Sequence, residues 1–175
     1  STPDIGPGLS KEGKKLVKEC NRLGILIDLA HINEKGFWDV LELSDYPLIV
    51  SHTGVHSICR STRNLIDKQI EAIGDTNGII GLMFGPSNIR RDGKPNKKTP
   101  ISTIIDHIDY IVQKIGIDHV GLGSDFDGTT MPFQMEDITK LPRIINLLKD
   151  HGYKKRSIEK IGYKNWLRVI KETWK

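Results

Sequence analysis

Apolar residues recur along this chain in two alternating rhythms. The short runs ILIDLA (25–30), LIVS (48–51), GIIGLMF (78–84) and HVGLGS (119–124) are rich in Val, Ile and Leu and bounded by turn residues. Such runs predict strands buried on both faces of a parallel sheet. Between them, apolar spacing near ~3.6 residues predicts helices. The first covers 11–23, capped by Ser10, with Leu16, Cys20 and Leu23 on one face and Gly24 as its stop. A second begins after Asn33, carries Phe37 and Leu41, and ends near Ser44. A polar loop from Thr53 to Asn64 leads to a short helix bearing Ile66, Ile70 and Ile73 before Gly74. The clearest helix starts at Thr99 or Ser102, carries Ile104, Ile105, Ile108, Ile111, Val112 and Ile115, and ends at Gly116. Two more lie around 137–150 and 157–173.

Strand and helix therefore alternate. Four βα units imply right-handed crossovers and a parallel sheet, either doubly wound or part of a barrel. The four strands are expected to be adjacent in chain order with their apolar residues buried, and Ile104, Ile108 and Ile115 to pack on the sheet. The glycines of Gly121 to Gly128 miss the dinucleotide-binding spacing, and no phosphate-loop pattern occurs, so nucleotide binding has no support. A barrel suits the chain better, because residues at the ends of successive barrel strands converge on one mouth.

At 175 residues the chain has the size of one ordinary domain and can bury a real core. Its 26 Lys and Arg against 22 Asp and Glu give a charge of +4, spread over several helices and loops. That reads as a solvated surface, and no nucleic-acid partner is expected. The basic stretch Arg90 to Lys98 is a loop rich in Gly, Pro and Asn without an aromatic to stack on a base. Cys20 and Cys59 share no CxxC spacing, so a reduced, cytoplasmic compartment is expected rather than a disulfide framework. No run approaches the ~20 apolar residues of a membrane span, and the expectation is a soluble chain.

The chemistry lies at the strand ends. ILIDLAH closes on His31, PLIVSH on His52 and HVGLGSD on Asp125. Neutral imidazole is a good zinc ligand, and adjacent barrel strands can bring two ring nitrogens to ~2.1 Å from one ion. A lone histidine is more often a satisfied half-buried residue, but His52 occupies on its strand the place His31 has on the one before. His56, His107, His119 and His151 read as surface, helix-face or strand-start residues. Asp28 either supports a ligand histidine or satisfies a neighbouring backbone group, the structural role being favoured. Asp125 and Asp127 flank Phe126 in a glycine-bounded turn, where a helix-cap or turn role stays open for both.

The segments GLSKEGKKLVKECNRLGILIDLAH, PLIVSHTGVHSICRSTRN, HVGLGSDFDG and KNWLRV, in this order and spacing, resemble the carboxyl-terminal half of the membrane (renal) dipeptidase family of zinc peptidases. The resemblance covers nearly the whole chain. It implies an α/β fold, the C-terminal half of an amidohydrolase-type (β/α)8 barrel, and hydrolysis of dipeptides at two zinc ions. It further implies that His31 and His52 are ligands of one zinc. By the same correspondence Asp125 is the acid/base aspartate beside the substrate, and Arg63 of CRSTRN binds the substrate carboxylate. A surface arginine in a solvated loop is the alternative for Arg63.

The chain also departs from that family. Family members carry upstream a His-x-Asp pair, a glutamate bridging the metals and a further substrate-binding histidine, none of which can be placed here. A full barrel takes ~250 residues, so residues 1–175 are expected to be a single partial domain lacking its N-terminal half. Two functional readings follow. One is the C-terminal half of a zinc dipeptidase, active with the missing half. The other is a non-catalytic half-barrel that self-associates and binds at most one metal weakly. Open strand edges call for a cover, either the missing half or a second copy in a homo-oligomer.

Overall fold

The computed structural model describes residues 5–175. Helix α1 (Lys11–Leu23) starts where the Ser10 hydroxyl accepts from the Gly13 N–H at 3.0 Å, and it ends at Gly24, which is left-handed with φ 68°. The expected inward face, Leu16, Cys20 and Leu23, is not the one that is buried. Leu16 is 64% and Leu23 46% exposed, and Val17 and Asn21 face the core. The reason is polar: the Asn21 amide donates to the Leu43 carbonyl at 2.7 Å, and that bond turns positions 17 and 21 toward α2 (Glu34–Leu43).

Asn33 caps α2 by accepting from the Gly36 N–H at 2.9 Å, and its amide donates to the carbonyls of Ile5 at 3.0 Å and Pro7 at 2.9 Å. One side chain thus starts a helix and ties down the segment before α1. Asn33→Ala is expected to cost about 1–2 kcal/mol, read as a lower urea midpoint with unchanged m-value.

Strands β1 (Ile49–Thr53), β2 (Ile79–Leu82) and β3 (Val120–Leu122) form one parallel sheet in the order β1-β2-β3. Helix α3 (Asp67–Asp75) links β1 to β2; a short helix α4 (Pro86–Ile89) and α5 (Ser102–Ile115) link β2 to β3. The run 25–30 corrects the expected fourth strand. It lies parallel to β1, at the edge expected for it, but pairs only through a single bridge of Asp28 to Ile49, with Leu29 N–H donating to the Ile49 carbonyl at 2.8 Å. The ladder stops there because the Asp28 carboxylate takes the Ser51 N–H at 2.9 Å, a donor that a continuing strand would have met with a carbonyl. Ile25, also expected to be buried, is exposed.

One sheet face, with Val50, Ile80, Leu82 and Val120, joins Ile104, Ile105, Ile108 and Ile111 of α5 and Ile70 and Ile73 of α3 in the main core. Ile115 packs at its margin, partly buried. His107 of α5 is buried in the same layer, accepting from the Val55 N–H on Nδ1 at 3.0 Å and donating from Nε2 to the Ile89 carbonyl at 2.9 Å.

The last apolar stretch forms α6 (Leu141–Asp150), then α7 (Lys155–Glu159), a π turn over Lys160–Lys164, and α8 (Asn165–Thr173). Helix α8 covers the other sheet face, Trp166 and Val169 packing with Ile49 and Ile79. The indole fits because the paired residues Gly81 and Gly121 carry no side chain: a Cβ on Gly121 would sit 2.5 Å from Trp166 Nε1. Asn165 donates to the carbonyls of Ile117 and Val120, both at 2.8 Å. Arg168 donates to those of Asn77 at 2.5 Å, Asp118 at 2.9 Å and Gly78 at 3.3 Å. These bonds clamp the amino ends of β2 and β3, so the carboxyl ends remain open for chemistry. Among the described residues, no helix is long and apolar enough to cross a membrane.

Candidate active site

The carboxyl end of the sheet is built from turns that the sequence forces. The Asp28 carboxylate accepts from the Ala30 N–H at 3.0 Å, closing a local Asx turn, and Ile32 N–H returns to the Leu29 carbonyl at 3.3 Å. The chain is thereby thrown into the left-handed region at His31, with φ 68°. Past β3, Asp125 and Asp127 adopt the same region at φ 64° and 65°. Non-glycine residues held there cost on the order of 1 kcal/mol or more, and such positions concentrate where side-chain direction matters. Gly128 makes room for the result: a Cβ on it would lie 2.3 Å from Asp125 Oδ1.

His31 and His52 meet across the edge of the sheet. Their Nε2 atoms are 3.0 Å apart and their rings tilted by 56°, although 21 residues separate them. Beside them Arg63 donates from Nη2 to the His52 carbonyl at 2.9 Å. Its loop is held by Asn64, which is buried and accepts from the Gly54 N–H at 3.0 Å while donating to the carbonyls of Cys59 at 2.9 Å and Asn88 at 2.8 Å. His31 and Arg63 line a cleft of about 210 Å³ together with His56, Leu29, Phe37 and Leu65. His52 and Asp125 stand outside that lining, although His52 touches His31 at 3.0 Å and the charge of Asp125 acts on both His31 and Arg63.

Burial is the main cause of the low pKa of His31, reinforced by the nearby Arg63 guanidinium and by His52 and opposed by Asp125. Its imidazole is therefore neutral at neutral pH, the form that ligates metals. Burial likewise lowers the pKa of Arg63, against the pull of Asp125 and Asp28, and leaves it a cation as arginine always is.

The donor set fits a metal ion in part. Two nitrogens each ~2.1 Å from one ion lie at most ~4.2 Å apart, and the His31–His52 pair, at 3.0 Å, falls inside that bound. Among the described residues, no group of three His, Cys, Asp or Glu side chains converges on one point.

Ser51 and Asn64 are residues that reading the chain did not assign to this site, and Asp28, for which the sequence favours the structural role, bonds both to backbone N–H groups and to the hydroxyl beside His52. Ser51 Oγ lies 2.7 Å from His52 Nδ1 and donates to Asp28 Oδ2. The signal for Ser51 was local, a serine next to the strand-end histidine.

A family model described as "Membrane dipeptidase (Peptidase family M19)" matches residues 3–175. Among curated proteins, an uncharacterized protein in the pqqA 5' region of Klebsiella pneumoniae is 45% identical over 173 residues, covering 99% of this chain and 64% of that one. The dipeptidase tcpJ of Claviceps purpurea is 36% identical over 173 residues, covering 98% of this chain and 40% of its own. Among solved structures, a metallo peptidase from Rhodobacter sphaeroides, liganded with a phosphinate mimic of the dipeptide L-Ala-D-Ala, superposes with a TM-score of 0.96 at 42% identity. The dipeptidase AC, a metallo peptidase of family M19, gives the same values. Both superpositions cover 99% of this chain and 50% of the other, so the chain spans half the length of these relatives. Its parallel βα wall is α/β structure of the barrel type found in them.

Proposed function

This chain belongs to the membrane dipeptidase family, peptidase family M19, and from that premise we propose that it supplies one half of a zinc-dependent active site that hydrolyses dipeptides. The observation that carries the reading is the approach of His31 Nε2 and His52 Nε2 to 3.0 Å at the carboxyl end of a parallel sheet. His31 and His52 would hold one zinc of a pair, the remaining ligands coming from outside the described residues. When bound, zinc would lower the pKa of a coordinated water to near neutrality and polarise a carbonyl. The chain's own residues do the rest. Arg63 offers a planar fork to the free carboxylate of a dipeptide and so favours short substrates. Asp125, held left-handed where its charge acts on Arg63, would take a proton from the attacking water and return it to the departing amine.

Exposed Leu23 and Ile25 border the edge where the run 25–30 makes its single bridge. They support a cover at that edge, either the other half of the barrel or a second copy of the chain, and the second copy is the non-catalytic reading. The test is reassembly. The 175-residue chain with zinc is expected to hydrolyse no dipeptide alone and to gain turnover when mixed with a separately expressed polypeptide spanning the other half of a family barrel. Full turnover by the chain alone, or none from any mixture, overturns the proposal. In the active mixture, Arg63→Lys is expected to raise KM about 10-fold or more, because a point charge replaces the two-pronged contact.

A further inference from the structure

We propose that Asp28 and Ser51 are positioning residues that fix the tautomer of His52, with its Nε2 lone pair turned toward His31. The inference rests on the dipeptidase reading for its use, but the geometry that carries it needs no metal. A carboxylate has no proton to donate, so Asp28 is an acceptor at both oxygens. Oδ1 receives the N–H groups of Ala30 at 3.0 Å and Ser51 at 2.9 Å, which leaves Oδ2 to receive the Ser51 hydroxyl. Having spent its one proton on Asp28, Ser51 Oγ can only accept in its 2.7 Å contact with His52 Nδ1. His52 therefore carries its proton on Nδ1 and presents its Nε2 lone pair as the acceptor in the 3.0 Å contact with His31 Nε2. The order Nδ1–H to Oγ–H to carboxylate is the arrangement that orients ligating histidines elsewhere, here with a hydroxyl interposed.

The juxtaposition depends on register. Asp28 and Ser51 lie 23 residues apart and meet only because the run 25–30 bridges β1 at Ile49. The same carboxylate that ends the ladder thus begins the relay.

The test uses the full 175-residue chain, labelled with 15N and free of metal, with zinc alone as the probe in a parallel titration. Long-range proton–nitrogen spectra are expected to show His52 in the wild type as the Nδ1–H tautomer. Asp28→Asn keeps shape and the Oδ1 acceptor but places an amide donor against Ser51 Oγ. The hydroxyl proton then turns to His52 Nδ1, and the ring is expected to flip to Nε2–H. Zinc affinity should fall about 10- to 100-fold. Ser51→Ala removes the hydroxyl but keeps the Ser51 main-chain bond to Asp28, so it folds; it is expected to leave a tautomer mixture, and Ser51→Thr to restore the Nδ1–H form and the affinity. A His52 tautomer unchanged in both Asp28→Asn and Ser51→Ala, or Nε2–H in the wild type, overturns the relay. A wild type that shows the Nδ1–H tautomer but binds no zinc supports the relay and overturns the dipeptidase reading of the site.

Discussion

Alanine at position 52 is expected to lower the zinc affinity of this chain roughly 100-fold and to cut dipeptide hydrolysis by the reassembled barrel at least as much. Structural zinc sites with four ligands bind with about 10–16 kcal/mol, on the order of 3 kcal/mol per ligand, and ~2.8 kcal/mol is a factor of ~100. His52 Nε2 approaches His31 Nε2 to 3.0 Å, so its removal takes away one member of that pair. The control is His151→Ala. His151 is exposed at the end of α6, and its loss is expected to change affinity less than about 2-fold. Competition against a chromophoric chelator reads both variants without any need for turnover. Equal losses at 52 and 151 would remove the histidine pair from the account.

The second large effect is on stability and lies away from the cleft. His107→Ala is expected to cost about 4 kcal/mol, a large part of the 5–15 kcal/mol that holds an ordinary domain together. The change opens a cavity in the isoleucine layer of α5. It also strands the Val55 N–H and the Ile89 carbonyl, each an unsatisfied buried group worth about 1–3 kcal/mol. The same bonds make His107 sensitive to pH. Burial pushes its pKa below the ordinary value, against the opposing effects of the Ile89 carbonyl and Asp106. In the unfolded chain it titrates near ~6.5, so its contribution is complete above that pH and is lost as pH falls toward the lower folded value. A proton on Nδ1 would confront the Val55 N–H with another donor. Urea midpoints from pH 8 to pH 5 should fall more steeply for the wild type than for His107→Ala, and parallel curves would show that His107 does not titrate on unfolding. Because Val55 starts the loop that ends in Arg63, bridging back to Leu65, this buried ring also helps hold the arginine in place.

What the chain disclosed beforehand follows from which forces are periodic. The isoleucines of α5 repeat on one face and Gly116 ends them, so that helix was legible almost to the residue. The placing of His31 beside His52 was legible too, because parallel strands in chain order bring their ends together. Single polar bonds were not legible. No apolar pattern tells that Asn21 will be buried against the Leu43 carbonyl, and that bond reversed the inward face of α1. The run 25–30 has strand composition, but one carboxylate within it takes the partner's N–H and leaves a lone bridge. The short α4 turn escaped for a related reason, since four residues are too few to show a period. The relay from Asp28 through Ser51 to His52 joins distant positions through register alone, which only a fold supplies.

The clamp made by α8 bears on the order in which this polypeptide acquires its shape. Arg168 reaches back 91 residues to the Asn77 carbonyl, and Asn165 and Trp166 reach back 45 and 44 residues to Val120 and Leu122. Contacts so remote in sequence carry a loop-closure cost before they return any stability, and they form slowly. On the ribosome, the strands emerge well before the helix that seats their amino ends. Until residues 165–173 are available, the sheet face with Ile49, Ile79 and the glycine pair faces water, a nascent state exposed to chaperones and to misassociation. Kinetically, the amino ends of β2 and β3 are thus the part of the sheet that waits on residues 165–173.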